Sequence, residues 1–280
     1  MSKGVLYVVA TPIGNLDDFT PRAVETLKQV DLIAAEDTRH TRPLLRRYAV
    51  DTPMRSLHQY NEQAQLQPLL DALQAGESIA LVSDAGTPLI SDPGFPLVRA
   101  FAAQGGRVVP IPGASAMACA LSAAGLPTDR FVFAGFPPRS GAQRRSWLGE
   151  LVHDPSTLVF YESSHRVTDT LADMAELFGS SREGVIAREL TKAHETFLRG
   201  DLETLQEQLK QDADQRKGEF VILLAGAKAQ SRQLVELDVE HILVTLLAEL
   251  PLKQAVSLTA KITGHKKNKL YDQALKLSVT

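Results

Sequence analysis

Apolar runs of strand length alternate with longer amphipathic segments through the first half of the chain. GVLYVVA, DLIAAE, SIALVS and RVVPIP are short and nearly continuous in apolar residues, with TPRAVETLKQV and EQAQLQPLLDALQ among the segments between them. Buried strands separated by helical patterns predict an α/β fold with a largely parallel sheet. Thr20-Pro21 reads as an N-cap followed by proline at the first helical position. Asp92-Pro93 repeats that grammar before GFPLVRAFAAQ, which makes Asp92 a helix cap. PGASAMACALSAAG reads as a small-residue helix ending at Gly125.

The second half holds the strand patterns RFVFAGF, STLVFYES, EGVIAREL, ETFLRG and GEFVILLAG, with helical patterns at SSHRVTDTLADMAELF and DLETLQEQLK. EGVIAREL runs into ETFLRG with no helix between them, so this sheet is expected to be partly antiparallel. After Gly226 the chain turns polar and resumes as HILVTLLAEL, PLKQAVSLTAKITG and KKNKLYDQALKL, three short helical patterns without a strand. The expected division is an α/β lobe over 1–125, a second α/β lobe over 126–229 and a helical unit over 230–280.

With 280 residues, 44% of them hydrophobic and 22% charged, the chain can bury a sizeable core. Its one cysteine, Cys119, can close no internal disulfide and form no thiol metal cluster, which fits a reducing compartment. The apolar start MSKGVLYVVA is too short for a signal peptide, and no run reaches the roughly 18 apolar residues of a membrane span. A soluble, cytoplasmic protein is expected. The net charge of −3 argues against indiscriminate coating of nucleic acid. The tail departs from that average: between Lys253 and Thr280 it holds six lysines against one acidic residue, Asp272.

Four loops at strand ends are dense in Gly, Pro, Ser and Asp: ATPIGNLDD, SDAGTPLISDPG, PIPGASA and YESSHR. Such residues turn tightly and leave backbone groups free, and in an open α/β sheet the ligand crevice lies beyond the carboxyl ends of the strands. Each loop alone reads more readily as an ordinary turn; their clustering points to a binding cleft. No G-x-G-x-x-G follows a strand and no G-x-x-x-x-G-K-[ST] occurs, which argues against an ordinary dehydrogenase or ATPase. The histidines form no H-E-x-x-H, His194-Glu195 alone does not make a metal site, and no G-x-S-x-G marks a hydrolase nucleophile.

Taken in order, LYVVATPIGNLDDFTPRAVETL, EDTRHT, SDAGTPLISDPG, PGASA, FAGFPPR, FYESSHR and AREL-TKAHE resemble the tetrapyrrole methylase superfamily, and within it the branch that methylates small-subunit ribosomal RNA. The likeness runs from residue 5 to about 226, and the tail resembles the helix-turn-helix unit appended in that branch. It implies a two-lobed α/β methyltransferase holding S-adenosylmethionine in the cleft between lobes. It also implies a homodimer that 2′-O-methylates a cytidine in the decoding region of 16S rRNA, with the assembled small subunit as the expected acceptor. By motif, the first-lobe cofactor contacts would be Pro12, Asp84, Gly86, Thr87, Pro88, Leu89, Ala114 and Ser115, with Asp84 facing the amino group of the methionine portion. From the second lobe they would be Tyr161, Glu162, Leu190, Gly218 and Glu219. Tetrapyrrole members commonly carry Gly-Asp-Pro where this chain has Ser83-Asp84-Ala85-Gly86.

A ribose hydroxyl is a weak nucleophile and gains from a base or from a cation that stabilises the developing alkoxide. Glu189 and Lys192 in AREL-TKAHE are the candidate catalytic pair, with a structural ion pair as the equal alternative. Candidate RNA contacts are Arg39, His40 and Arg42 in EDTRHTR, Arg139, Arg144 and Arg145 in PPRSGAQRRSW, and Arg166 beside His165. Trp147, at helical spacing near Arg144-Arg145, reads equally as core. In the tail, a turn at Thr263-Gly264 and a helix opening with His265-Lys266-Lys267-Asn268-Lys269 would present Lys266, Lys267 and Lys269 to RNA. The rival readings are a same-fold methyltransferase acting on a small tetrapyrrole or a protein side chain, and a cofactor-sensing regulator without catalysis.

Overall fold

The computed structural model describes residues 4–227 and 239–277. Val5–Val9 (β1), Leu32–Ala35 (β2), Met54–Ser56 (β3), Ile79–Val82 (β4) and Arg107–Ile111 (β5) form a wholly parallel sheet in the order β3-β2-β4-β1-β5. The connecting helices are Pro21–Gln29 (α1), Thr38–Arg47 (α2), Glu62–Ala75 (α3) and Phe95–Ala103 (α4). Alternation of side chains along the strands divides the core. Val9, Ile33 and Ala35 pack with Leu27 of α1 and Leu45 of α2, while Leu6, Ala34 and Ile79 pack with Leu69 of α3 and Phe101 of α4. Helices on both faces explain why these strands read as continuous apolar runs.

Two elements of this first half escape the hydrophobic pattern. Helix α2, TRHTRPLLRR, buries just Thr41 and Leu45, so its apolar stripe is thin. Strand β3 is three residues at the sheet edge, with no buried position. Thr20 does cap α1, accepting from the Ala23 amide at 3.2 Å with Pro21 in the first turn. The cap expected of Asp92 is not formed. Helix α4 starts at Phe95 after a left-handed Gly94, with no side-chain cap; Pro96 sits in its first turn, and the Gly94 amide donates to Glu62.

The second sheet contains Phe131–Gly135 (β6), Thr157–Ser163 (β7), Glu183–Arg188 (β8), Thr196–Asp201 (β9) and Glu219–Leu224 (β10), in the order β6-β7-β10-β8-β9. β6 and β7 pair in parallel and the remaining pairs are antiparallel, as the helix-free step from EGVIAREL to ETFLRG implied. Its helices are Ala116–Ala124 (α5), Gly141–Gly149 (α6), Val167–Phe178 (α7) and Leu202–Gln211 (α8). One face packs Phe160, Ile186 and Ile222 against Leu171, Met174 and Leu205. The other packs Val159, Val185, Val221 and Leu223 against Ala120, Leu121 and Ala124 of α5. The small residues of α5 let a helix from the first half lie close on the second sheet, so the two halves share a core. Phe160 is fully buried, and truncating it to alanine would cost about 3–5 kcal/mol.

The chain divides into two compact units, Met1–Ala227 and Lys228–Thr280. In the smaller unit Val239–Glu249 (α9), Leu252–Thr263 (α10) and Lys267–Leu277 (α11) enclose Leu243, Val256, Leu270 and Ala274. Gly264, at φ 70°, ends α10 in the left-handed conformation, and α11 opens at Lys267. His265 and Lys266, read from the sequence as the start of the last helix, therefore lie in the turn. The boundary expected at 229–230 and the side chain of Lys276 fall outside what the structure describes. Among the described residues no helix is long and apolar enough to cross a membrane.

Candidate active site

The strand order creates the crevice. β1 and β4 are neighbours, yet the chain leaves β1 toward the α1 face and β4 toward the α4 face, so the loops beyond their carboxyl ends part from each other. A short antiparallel bridge ties those loops together: the Thr11 amide donates to Gly86 at 2.9 Å and the Gly86 amide returns a bond to Thr11 at 3.1 Å. The Thr11 hydroxyl adds a bond to the Ser83 carbonyl at 3.2 Å.

Beyond the bridge lies a cavity of about 420 Å³ walled by both sheets. The first lobe contributes Ile13, the stretches 85–87 and 90–92, and Ser115 at the start of α5; the second contributes Phe136, Tyr161, Leu190 and the opening of β10. Apolar side chains dominate one part of the wall. Phe136, 54% exposed, stands edge-on to Tyr161, whose own hydroxyl accepts from the Met117 amide at 3.0 Å. Asp92 is the acid that the β4 loop turns into this space. Leu89 at φ 73° and Ser91 at φ 72° are non-glycine residues in the left-handed region, a costly backbone that recurs where a side chain is being aimed. Burial pushes the Asp92 carboxyl up to about 6; a hydrogen bond from Ser83 opposes the rise, and the charges of Glu36 and Asp84 add to it.

Beside the cavity, joined to it through Glu219, sits a charged trio. Lys192 Nζ contacts Glu189 Oε1 and Glu219 Oε2, each at 2.9 Å, and the Glu219 amide donates to Glu189 Oε1 at 3.0 Å. Burial raises the Glu189 carboxyl, but the bonds from Lys192 and the Glu219 amide outweigh it and leave the group below the ordinary carboxylate range. Burial likewise lowers the Lys192 ammonium, and its two carboxylate partners reverse the sign and raise it. The pair is therefore ionised at neutral pH. Its backbone is unusual too: Glu189 and the β-branched Thr191 have φ of 52° and 64°. Two glycines make room for it. A Cβ on Gly14 would lie 2.5 Å from Lys192 Cγ, and one on Gly218, at φ 100°, would collide with the Glu189 carboxylate. The Asn15 amide completes the contact between lobes, donating to Thr191 Oγ1 at 3.0 Å.

A cavity closed by strand ends of two such sheets has counterparts among known proteins. Residues 5–206 match the family model described as Tetrapyrrole (Corrin/Porphyrin) Methylases. The chain belongs to this family. Residues 233–278 match a second model, the RsmI C-terminal HTH domain. The chain is 51% identical to "Ribosomal RNA small subunit methyltransferase I" of Pseudomonas aeruginosa over 276 residues, covering 98% of each. It is 52% identical to the protein of the same name from Escherichia coli O157:H7 over 274 residues, 98% of this chain and 96% of that one. Among solved structures, uroporphyrin-III C-methyl transferase from Thermus thermophilus, complexed with S-adenyl homocysteine, shares the fold with a TM-score of 0.54 at 18% identity, over 79% of this chain and 97% of that chain.

Of the cofactor contacts expected for this family member, Gly86, Thr87, Ser115, Tyr161, Glu162, Leu190, Gly218 and Glu219 line the cavity. Pro12, Pro88, Leu89 and Ala114 stand behind that lining, Ala114 through its carbonyl, which accepts from Thr87 at 3.0 Å. Asp84 is also outside it: its carboxylate accepts from the Asp37 amide at 3.0 Å and lies 3.1 Å from His40 Nδ1. Of the two aspartates, Asp92 thus lines the cavity and Asp84 braces the start of α2. Glu162 is 2% exposed and spends its carboxylate on Thr170 at 2.6 Å and Arg166 at 3.1 Å.

The basic candidates separate by burial. Arg39 and Arg42 are exposed on α2, where Arg39 pairs with Asp37, and Arg139 is exposed beyond β6. Arg144 is not an RNA contact surface: it is 6% exposed, with Nε 2.6 Å from Asp173, which also takes Arg145 at 3.1 Å. Arg166 points its guanidinium at the carbonyls of Pro137 and Pro138. Trp147 packs on the core beside Phe160, the bland alternative left open for it. Lys266, Lys267 and Lys269 are exposed. Asp92, Phe136, Ile13 and Ile90 were missed as site residues. The one available signal for Asp92 was a second Ser-Asp-x-Gly unit, which helix-cap grammar explained equally well.

Proposed function

We propose that this protein is an S-adenosylmethionine-dependent methyltransferase of 16S rRNA that modifies the ribose 2′-oxygen of a cytidine in the decoding region, working as a cytoplasmic homodimer on the assembled small subunit. The observation that carries the reading is an interlobe cavity lined by Glu219, whose carboxylate pairs with the ionised Lys192 beside it, in a chain about half identical, over nearly its whole length, to proteins named for small-subunit rRNA methylation. The cavity suits the donor. It has the volume of a small-molecule site, apolar walls and an exposed aromatic ring for an adenosine, and one half-buried carboxylate, Asp92, for a cationic amino acid.

When bound, S-adenosylmethionine supplies a methyl group on a positively charged sulfur, which an oxygen nucleophile displaces in line. Ile13, Phe136, Tyr161 and Leu190 would hold the adenosine portion, and Asp92 would answer the positive charge of the methionine portion. Lys192 would stabilise the negative charge that develops on the oxygen as its proton passes to solvent water. Glu189, already ionised and engaged, fits the task of holding Lys192 better than that of a strong base. The lobes over 1–125 and 126–229 would share this work, and the unit over 230–280 would dock on RNA through Lys266, Lys267 and Lys269. The remaining basic contacts would be Arg39, His40, Arg42, Arg139 and Arg145.

The test is transfer of labelled methyl from the donor to small subunits or naked 16S rRNA, followed by mass analysis of the nucleosides. A 2′-O-methylcytidine product is expected. Label on a base, on protein or on an added tetrapyrrole instead would overturn the assignment.

A further inference from the structure

Helix α2 and a second hollow beside Lys192 form a surface that the donor cavity does not use. An open recess is lined by Gly14, Asn15, Asp17, Arg47, Thr191 and Lys192. Lys192 thus borders the recess, while its partner Glu219 lines the donor cavity, so the two spaces meet at this ion pair. The rim of the recess is the end of α2. This helix carries Arg39, Arg42, Arg46 and Arg47, all exposed, and no acidic residue within it.

Arg39, Arg42 and Arg46 stand at helical spacing on one face, over about 10 Å of axis. Arg42 and Arg46 have no ion-pair partner among the described residues, and Arg47 turns off that face toward the recess. Arg47 is bound at 3.1 Å to Asp17, but both side chains are well exposed, at 52% and 78%. Such a pair is weak and exchanges readily for a phosphate, which an arginine fork matches better. Asp17 and the two carboxylates on Lys192 keep the recess from being uniformly positive, so the recess alone would not draw in an anion. The arginine row that leads to it supplies the attraction.

We infer that the exposed arginine face of α2, ending at Arg46 and Arg47, is the track for the phosphate backbone of the acceptor RNA strand, delivering the target ribose to the recess beside Lys192. This rests on the RNA methyltransferase reading above. It adds two residues and a direction: the strand enters along α2, and the target ribose meets the donor where Lys192 and Glu219 join the recess to the cavity. Sequence inspection pointed to the start of this helix and stopped at Arg42.

The test compares full-length wild type with Arg46→Ala, Arg47→Ala and the double variant. KM is measured for small subunits and for a single-stranded decoding-region RNA, across a salt series, and the donor Kd is measured separately. The double variant is expected to raise KM for RNA at least 10-fold and to flatten the slope of log affinity against log salt by about 1.4, at about 0.7 per phosphate contact. Donor Kd should stay within twofold. Wild-type KM and salt slope in the double variant, with the wild type active on RNA, overturn this surface while leaving the RNA methyltransferase reading intact. A wild type that binds donor yet methylates no RNA overturns that reading and the surface with it.

Discussion

Replacing Asp92 with asparagine separates stability from function in a pH-dependent way. The carboxyl holds its proton up to about pH 6 instead of the ordinary 3.8, because burial disfavours the charged form. Between those values the folded chain binds more protons than the unfolded one, so this group makes stability fall as pH rises through about 4 to 6 and stay lower above. At about 1.4 kcal/mol for each tenfold change, full shielding would make the ionised carboxylate cost about 3 kcal/mol at neutral pH; its partial exposure brings that to about 1–2 kcal/mol. Asp92→Asn keeps the shape without the charge. It should melt higher than wild type at pH 8, by about 2–4 °C for each kcal/mol, and the gap should close toward pH 4.5. The same change removes the carboxylate facing the cationic donor. Charged hydrogen bonds contribute about 1.5–3 kcal/mol, so the Kd for S-adenosylmethionine should weaken about 10- to 100-fold at pH 8 and by less near pH 5, where the wild-type group is itself neutral. Thermal melts by fluorimetry and calorimetric titrations across pH 4.5–8 give both numbers. A melting difference that stays flat with pH, or a variant less stable than wild type at pH 8, refutes the account of Asp92 as a half-buried carboxylate held for ligand.

Lys192→Met should lower kcat at least about 100-fold with donor Kd nearly unchanged, read by single-turnover methyl transfer; full activity would remove the ammonium from the chemistry. Arg144→Ala should cost about 1.5–3 kcal/mol in denaturant melts, because the buried Asp173 is left with Arg145 as its one charged partner, and it should leave RNA affinity per folded molecule intact. Gly218→Ala forces an L side chain into φ 100° against Glu189, so it should impair kcat more than stability; normal kcat would show that the trio tolerates displacement. Removing residues 228–280 should weaken binding to small subunits in filter assays while donor titrations stay at the wild-type value.

Much of the fold was legible in local pattern. Nine of the strands coincide with strand patterns in the sequence, most plainly β4, β8 and β10, where burial on both faces leaves little freedom to be polar. β3, α2 and α6 were not legible, since a three-residue edge strand and helices with two buried positions each leave almost no apolar trace. In the site, the motif loops were found by their turn residues. Which residue of a loop faces the cavity was not, and Asp84 and Asp92 show why: both follow serine on turn-rich backbone, and only the left-handed bends at Leu89 and Ser91 separate them.

By itself the sequence determined the succession of strands and helices, the mixed second sheet, the basic helical tail and the family likeness, since all of these rest on residues near one another in the chain. Tertiary structure alone decided that Arg144 is buried against Asp173, that Asp92 rather than Asp84 meets the cavity, and that Lys192 also takes Glu219 as a partner. Those outcomes depend on partners that lie close in space through the sheet order and far apart along the chain, and no local periodicity encodes them.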